Sequence, residues 1–163
     1  DQARALLAGG VDVFWIETMA DLREVEAAVE ACRRVAPELP VVTTMTFDTG
    51  GRTMMGVTPE QAVATLDALS VAALGANCGN GPSEIETVIA AMHKAGPGVP
   101  LVAKANAGLP RMVEGRSVYD ATPAEMAAYA CRLRELGARI VGACCGSTPA
   151  HIQAIAAALK EMA

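Results

Sequence analysis

Short apolar runs alternate along this chain with longer stretches in which apolar residues recur every three or four positions. Five runs read as strands: Val11 to Glu17 (VDVFWIE), Pro40 to Phe47 (PVVTTMTF), Ala73 to Cys78 (ALGANC), Pro100 to Asn106 (PLVAKAN) and Arg139 to Cys145 (RIVGACC). Most are short, β-branched or apolar, and bounded by Gly or Pro, as strands buried on both faces are. The intervening stretches have a helical period. Leu22, Val25, Val29 and Cys32 fall on one helix face. Thr58-Pro59-Glu60-Gln61 and Thr122-Pro123-Ala124-Glu125 have capping-box spacing with Pro at the first helical position, the second ahead of a helix over Met126 to Leu136. Ser83 and Glu86 repeat that spacing at the start of a helix running to about His93. Asp1 to Ala8 reads as a helix already under way, and Pro149 to Met162 as the closing one.

The order is a helix followed by five βα units, with strand starts roughly 30 residues apart, the size of a βαβ repeat. A doubly wound sheet and a (β/α)8 barrel both produce this alternation. No GxGxxG follows the first strand, so a dinucleotide-binding sheet lacks its main support. The chemistry-bearing residues Glu17, Asn77, Cys78, Lys104, Asn106, Cys144 and Cys145 all lie at C-terminal strand ends, where a barrel gathers its active site. The fold expected is α/β, a (β/α)8 TIM barrel of which residues 1–163 hold about the last five βα units. An open five-stranded sheet would leave an unpaired edge on each side, so the first three strands are expected outside this chain.

Composition narrows the function classes. Hydrophobic residues make up 52% of the 163 positions, enough for a sizeable core, yet aromatics are only 3%. Ala, Val, Leu and Met supply the apolar mass, which favours Ala-rich helices on Val-rich strands over an aromatic-cored sandwich. The net charge is −5 and no basic run occurs, arguing against a nucleic-acid partner. No apolar stretch has the roughly 18 residues of a membrane span, and the first residues lack the basic-then-apolar pattern of a signal peptide. Five cysteines, an odd number without the spacing of a disulfide scaffold, point to a reducing cytoplasm. A homo-oligomer is compatible with all of this.

Three of the cysteines carry the sharpest signal. Cys78 ends one strand, and Cys144 and Cys145 end another. Three thiolates at one barrel mouth make a zinc site with a fourth, open position, since Zn2+ takes four tetrahedral ligands with Zn–S near ~2.3 Å. Adjacent strand residues point to opposite faces, so Cys144 and Cys145 share a metal only if the strand ends and curls there. Gly142 and Gly146 flank that pair, and Gly79 and Gly81 follow Cys78, relaxing the backbone constraint. Zn2+ with three thiolates is formally an anion, so a substrate sulfur bound to it stays nucleophilic; such a site suits alkyl transfer to a thiol. A redox-active vicinal dithiol is the rival reading of the pair. Cys32 and Cys131, on helix faces, read as inert buried thiols.

At these residues the chain resembles the homocysteine S-methyltransferase family. GANCG at Gly75 to Gly79 looks like the family's first zinc motif, GACCGSTPAHI at Gly142 to Ile152 like its second, and AKANAGLP at Ala103 to Pro110 like the segment between them. The resemblance covers essentially the whole chain and corresponds to the last five βα units of the family's barrel. It implies zinc-dependent transfer of a methyl group to the thiol of homocysteine, forming methionine, with Cys78, Cys144 and Cys145 as zinc ligands. It further implies that Glu17, in WIET, holds the substrate amino group. Asn106 matches an asparagine near the metal that in some members occupies the open zinc position until homocysteine arrives. Asn77 is expected to shape the same pocket. The methyl donor is a small molecule: Thr44 to Glu60 is similar to bacterial betaine-type members, while S-methylmethionine and methyl-corrinoid chemistry remain open. As a bare sequence, that stretch is a loop with Met54 and Met55 as packing residues.

Other readings compete. Lys104 sits where Schiff-base lysines of barrel aldolases stand, so a class I aldolase-like lyase is the alternative enzyme, although it leaves the cysteines without a role. An inactive zinc-binding fragment is the alternative without turnover. Glu17 is otherwise a core-edge carboxylate satisfied by backbone. His151 suits a structural hydrogen bond near the cysteine loop better than general-base work, His93 is expected to face solvent, and Trp15 to pack between the strand and helix layers.

Overall fold

A computed structural model describes residues 1–162; Ala163, the last position of the expected barrel segment, lies outside the described residues. The elements run α1 (Gln2–Ala8), β1 (Phe14–Met19), α2 (Leu22–Val35), β2 (Val41–Met45), α3 (Pro59–Ala68), β3 (Ala73–Cys78) and α4 (Pro82–Lys94). They continue with β4 (Leu101–Ala105), β5 (Arg111–Val113), β6 (Arg116–Val118), α5 (Pro123–Glu135), β7 (Ala138–Ala143) and α6 (Pro149–Glu161). Five strands form one parallel sheet in the order β1-β2-β3-β4-β7, each beside its predecessor along the main winding. A doubly wound sheet reverses its strand order at a switch point; this sheet has no reversal and is wound in one sense, as a TIM-type barrel is. The five expected βα units are therefore present. Among the described residues, no helix is long and apolar enough to cross a membrane.

The two faces of the sheet differ. Phe14, Ile16, Met45, Leu74, Leu101 and Ala103 join helix residues such as Val29, Leu66, Ile89 and Leu133 in the main core. The opposite face holds a small cluster of Val42, Ala73 and Val102, with Ile140 against it. Above that cluster, toward the strand ends, the same face carries polar residues. Trp15 belongs to it as well: 39% exposed, it lies outside the main core rather than between strands and helices as expected. The reason is parity, because Phe14 and Ile16 on either side of it point to the helices.

Local chemistry explains the element ends. The capping boxes of α3 and α5 form as read: Thr58 Oγ1 accepts from the Gln61 N–H at 3.2 Å and Thr122 Oγ1 from the Glu125 N–H at 3.3 Å. The return bonds, from Thr58 N–H to Gln61 and from Thr122 N–H to Glu125, measure 2.9 and 2.6 Å. Hydrogen bonds from Thr122, backbone first, hold the Glu125 carboxyl below its ordinary range. The third expected box does not form. Helix α4 starts two residues earlier, at Pro82, with Gly81 at φ +112° in the capping position instead of Ser83. Glu86 instead accepts from Arg132 at 2.7 Å. The β5–β6 hairpin was not expected; its turn, Glu114-Gly115, places two successive residues at positive φ, 49° and 76°.

Gly75 has a structural reason of its own. It pairs with Thr44 on one side and Val102 on the other, and a Cβ there would fall 1.8 Å from the Val102 carbonyl oxygen. A methyl group at this point pushes β3 off β4. Gly75→Ala is therefore expected to lower stability by ~3 kcal/mol or more, read as a lower midpoint of urea unfolding.

Candidate metal centre

The chain brings Cys78, Cys144 and Cys145 together. Cys78 closes β3 at φ 60° and Gly79 follows at φ 65°, so two successive left-handed residues turn the chain off the strand. On the other side, the Cys144 N–H donates to the Ala105 carbonyl at 2.8 Å, continuing the β4–β7 ladder one residue past the strand. The backbone then turns: Ser147 N–H reaches back to the Cys144 carbonyl, and Gly146 stands at φ 79°. That turn lets neighbouring side chains converge. Cys78 Sγ lies 2.8 Å from Cys144 Sγ, and Cys145 Sγ lies 4.0 Å from each. All three sulfurs stand within 4.8 Å of one another, an arrangement able to hold one soft metal ion.

Two buried amides hold the sulfurs in place. Asn77, with no exposed surface, accepts at Oδ1 from the Thr18 N–H (2.9 Å) and the Thr44 hydroxyl (2.7 Å). Its Nδ2 donates to Thr18 Oγ1 at 2.8 Å and to Cys78 Sγ at 3.4 Å, with Cys144 Sγ farther off at 4.0 Å. Thr18 has φ 66°, a costly conformation for a β-branched residue that persists only where its surroundings impose it. The Asn77 amide imposes it by gripping both the backbone and the hydroxyl. Asn106 acts between the loops: its Nδ2 donates to the Gly79 carbonyl at 2.9 Å, and its Oδ1 accepts from the Cys145 N–H at 3.0 Å. Its amide thus ties the turn after Cys78 to the turn at Cys145.

The thiols polarise one another. Burial pushes the Cys78 thiol up to about 12, and its contact with Cys144 and the charges of both neighbours add to this. Burial also acts on Cys144, but hydrogen bonds from Cys78, the Cys145 backbone, Asn77 and Cys145 outweigh it and bring that thiol below its ordinary value. One sulfur keeps its proton and donates it in a hydrogen bond to the other, because two thiolates this close repel. A cation between them removes that penalty, which is why such a cluster favours a metal.

The remaining candidates take distinct places. Glu17 Oε2 meets Lys104 Nζ at 2.5 Å on the inner face, 42% and 21% exposed, and Lys104 stands over the Trp15 ring. His151 is buried and structural: its Nδ1 accepts from the Thr148 N–H at 3.0 Å, so Nε2 carries the proton that it donates to the Ala121 carbonyl at 2.9 Å. His93 is exposed, with its ring beside Gly137. Cys32 is buried, and burial raises its thiol. Sequence reasoning missed Thr18, Thr44 and Tyr119. The Tyr119 ring lies so close over Gly146 that a Cβ there would fall 2.1 Å from it. Desolvation, then the charge of Cys145, raises its phenol. Glycine after the CC pair was the one available sign that something packs there.

The sequence profile described as homocysteine S-methyltransferase matches residues 1–159. The methionine synthase of Mycobacterium leprae is 35% identical over 166 residues, covering 99% of this chain and 14% of that protein. The homocysteine methyltransferase MmuM of Escherichia coli superposes in its apo form with a TM-score of 0.78 and 27% identity, over 96% of this chain and 53% of that one. Its metallated form gives 0.77 at 27% identity, over 96% and 48%. The chain thus spans about half of the E. coli protein and a smaller part of the mycobacterial one. An archaeal fructose-1,6-bisphosphate aldolase, with a TM-score of 0.54 and 14% identity over 96% of this chain and 60% of that one, shares the fold alone.

If the Asn77 amide sets this geometry, its removal strands the buried Thr44 hydroxyl and the Thr18 N–H. Asn77→Ala is expected to cost ~3 kcal/mol, seen in urea unfolding, against less than half of that for Thr46→Ala, which loses a single bond to the Asn77 carbonyl.

Proposed function

The chain belongs to the homocysteine S-methyltransferase family, and we propose that it supplies the thiol-activating site of a zinc-dependent methyl transfer to homocysteine, forming methionine. The observation that carries this reading is the convergence of three cysteine sulfurs at one end of the sheet. Tetrahedral zinc with Zn–S near ~2.3 Å sets sulfur–sulfur edges of ~3.8 Å. Two of the three edges, at 4.0 Å, match; the third, at 2.8 Å, would have to open by ~1 Å to hold the ion. When bound, the zinc ion supplies a deprotonated, still nucleophilic substrate sulfur.

This chain's own residues do the rest. Asn77 and Asn106 hold the cysteine loops at their spacing, so that Cys78, Cys144 and Cys145 would hold the ion together and leave a coordination position for the substrate sulfur. Glu17, on the inner face of the sheet, takes the substrate ammonium. The homocysteine thiol gives up its proton, its sulfur forms a bond to the donor methyl carbon, and the donor's leaving atom keeps the electron pair of the broken bond. Holding acceptor and donor in line contributes much of the rate. For the donor we favour betaine, on the resemblance of Thr44 to Glu60; that stretch runs from the end of β2 through the loop into the start of α3, and Met54 and Met55 in the loop are 72% and 60% exposed, rather than packed. All five cysteines are free thiols, which suits a reducing cytoplasm.

The aldolase alternative draws no support from Lys104. That reading leaves the three converging cysteines without a role, and Lys104 is paired with Glu17 in this structure.

The test is metal analysis and zinc-edge X-ray absorption on the full-length, reduced protein. We expect about one zinc per chain with three sulfur neighbours, and a fourth sulfur on adding homocysteine. Cys78→Ala should abolish zinc retention and methyl transfer together. A folded protein that takes up no zinc, or a Cys78→Ala variant with unchanged zinc content, overturns the reading.

A further inference from the structure

One ion pair on the inner face has no part in holding the thiols. Lys104 on β4 reaches Glu17 on β1 at 2.5 Å and stands 5.2 Å from the centre of the Trp15 ring. In a flat sheet the two strands would be three spacings, about 14 Å, apart; curvature brings them within reach. The path is clear because glycine stands beside the lysine: a Cβ on Gly142 would sit 3.3 Å from Lys104 Cγ. Exposed ion pairs add little to stability, and this pair is only partly buried, so stability gives a weak reason for it.

Its position gives a better one. Lys104 pairs in register with Asn77 and Gly142, one residue short of the layer that holds Cys78. Glu17 precedes Thr18, whose hydroxyl receives a hydrogen bond from the same Asn77 amide group that donates to Cys78 Sγ. One positive and one negative side chain therefore meet on the face of the sheet that carries Asn77, from residues that neighbour the thiol layer in register and in sequence. An α-amino acid carries one charge of each sign on a single carbon, and in homocysteine two methylenes separate that carbon from sulfur.

We propose that Lys104 is a substrate-binding residue that takes the α-carboxylate of the amino-acid thiol while Glu17 takes its ammonium. The proposal rests on the reading of the cysteine cluster as a homocysteine site. Binding exchanges one ion pair for two charge-assisted contacts, with no change in net charge and no charge left unpaired. In the free protein each side chain compensates the other, so neither must be desolvated alone. The Trp15 face keeps the lysine on station when Glu17 turns to the substrate. A thiol with an amine but no carboxylate gains nothing from Lys104 and must compete with it for Glu17. The pair is thus a filter for whole amino acids.

Isothermal titration of the full-length, zinc-loaded protein with L-homocysteine and with 3-aminopropane-1-thiol, its decarboxylated counterpart, tests this. The wild type should prefer homocysteine. Lys104→Met should weaken homocysteine roughly 10- to 100-fold without weakening the amine thiol, so the preference collapses; Lys104→Arg should restore most of it. Zinc content and circular dichroism, measured on each variant, report folding, and Lys104→Gln replaces the Met variant if that one fails to fold. Equal loss of both thiols would show that Lys104 only positions Glu17, and unchanged affinity for both would show no role; either overturns the proposal alone. A wild type that binds no homocysteine at all removes the underlying reading, and the proposal with it.

Discussion

One buried amide governs the geometry at the mouth of this sheet. Asn77 spends its oxygen on Thr18 and Thr44 and its nitrogen on Thr18 and Cys78. Three strands and a sulfur are fixed by one side chain. The cost of placing an amide in the interior is offset only when its hydrogen bonds are made, and here every one of them goes to a group that defines the site. The left-handed Thr18 and the left-handed Cys78 are both immediate neighbours of that network. Strain at the strand ends and satisfaction of the amide are two sides of one arrangement.

Curvature is the second constraint. The sheet curls tightly enough for β1 and β4 to exchange an ion pair across β2 and β3. That curl needs small residues on the inside and close backbone approach between strands. Gly75 allows β3 to touch β4, and Gly142 makes room for the lysine stem. The helical side, by contrast, is filled by branched and sulfur-containing apolar residues packed without exposure. A barrel-type sheet divides labour in this way, with bulk outside the strands and chemistry at their carboxyl ends.

Much of this was legible because it is local. Strand runs bounded by Gly and Pro fell within three residues of the observed strands, and two Thr-Pro capping boxes named their helices correctly, since both are governed by neighbours in sequence. Three cysteines at strand ends, bracketed by glycines, stood out for the same reason, and the fold carries them to one point. What escaped was long-range or conformational. Asn77 meets Thr44 and Thr18 across 33 and 59 positions, and Lys104 meets Glu17 across 87; no window of sequence contains those pairs. Trp15 was assigned to the wrong face because a large aromatic residue suggests a core, whereas strand parity decided otherwise. Ser83 lost its cap to Gly81, whose φ of +112° no side chain but hydrogen tolerates easily.

The brace between the cysteine turns has a consequence for supply. Asn106 sets the distance from the Cys78 turn to the Cys145 turn with protein hydrogen bonds. Small metal domains that lack such a frame unfold when stripped. Here the amide brace supplies part of such a frame. On the reading proposed above, the brace would keep the two cysteine turns close together while zinc is away, so that reloading calls on the thiols to part rather than on the loops to find each other.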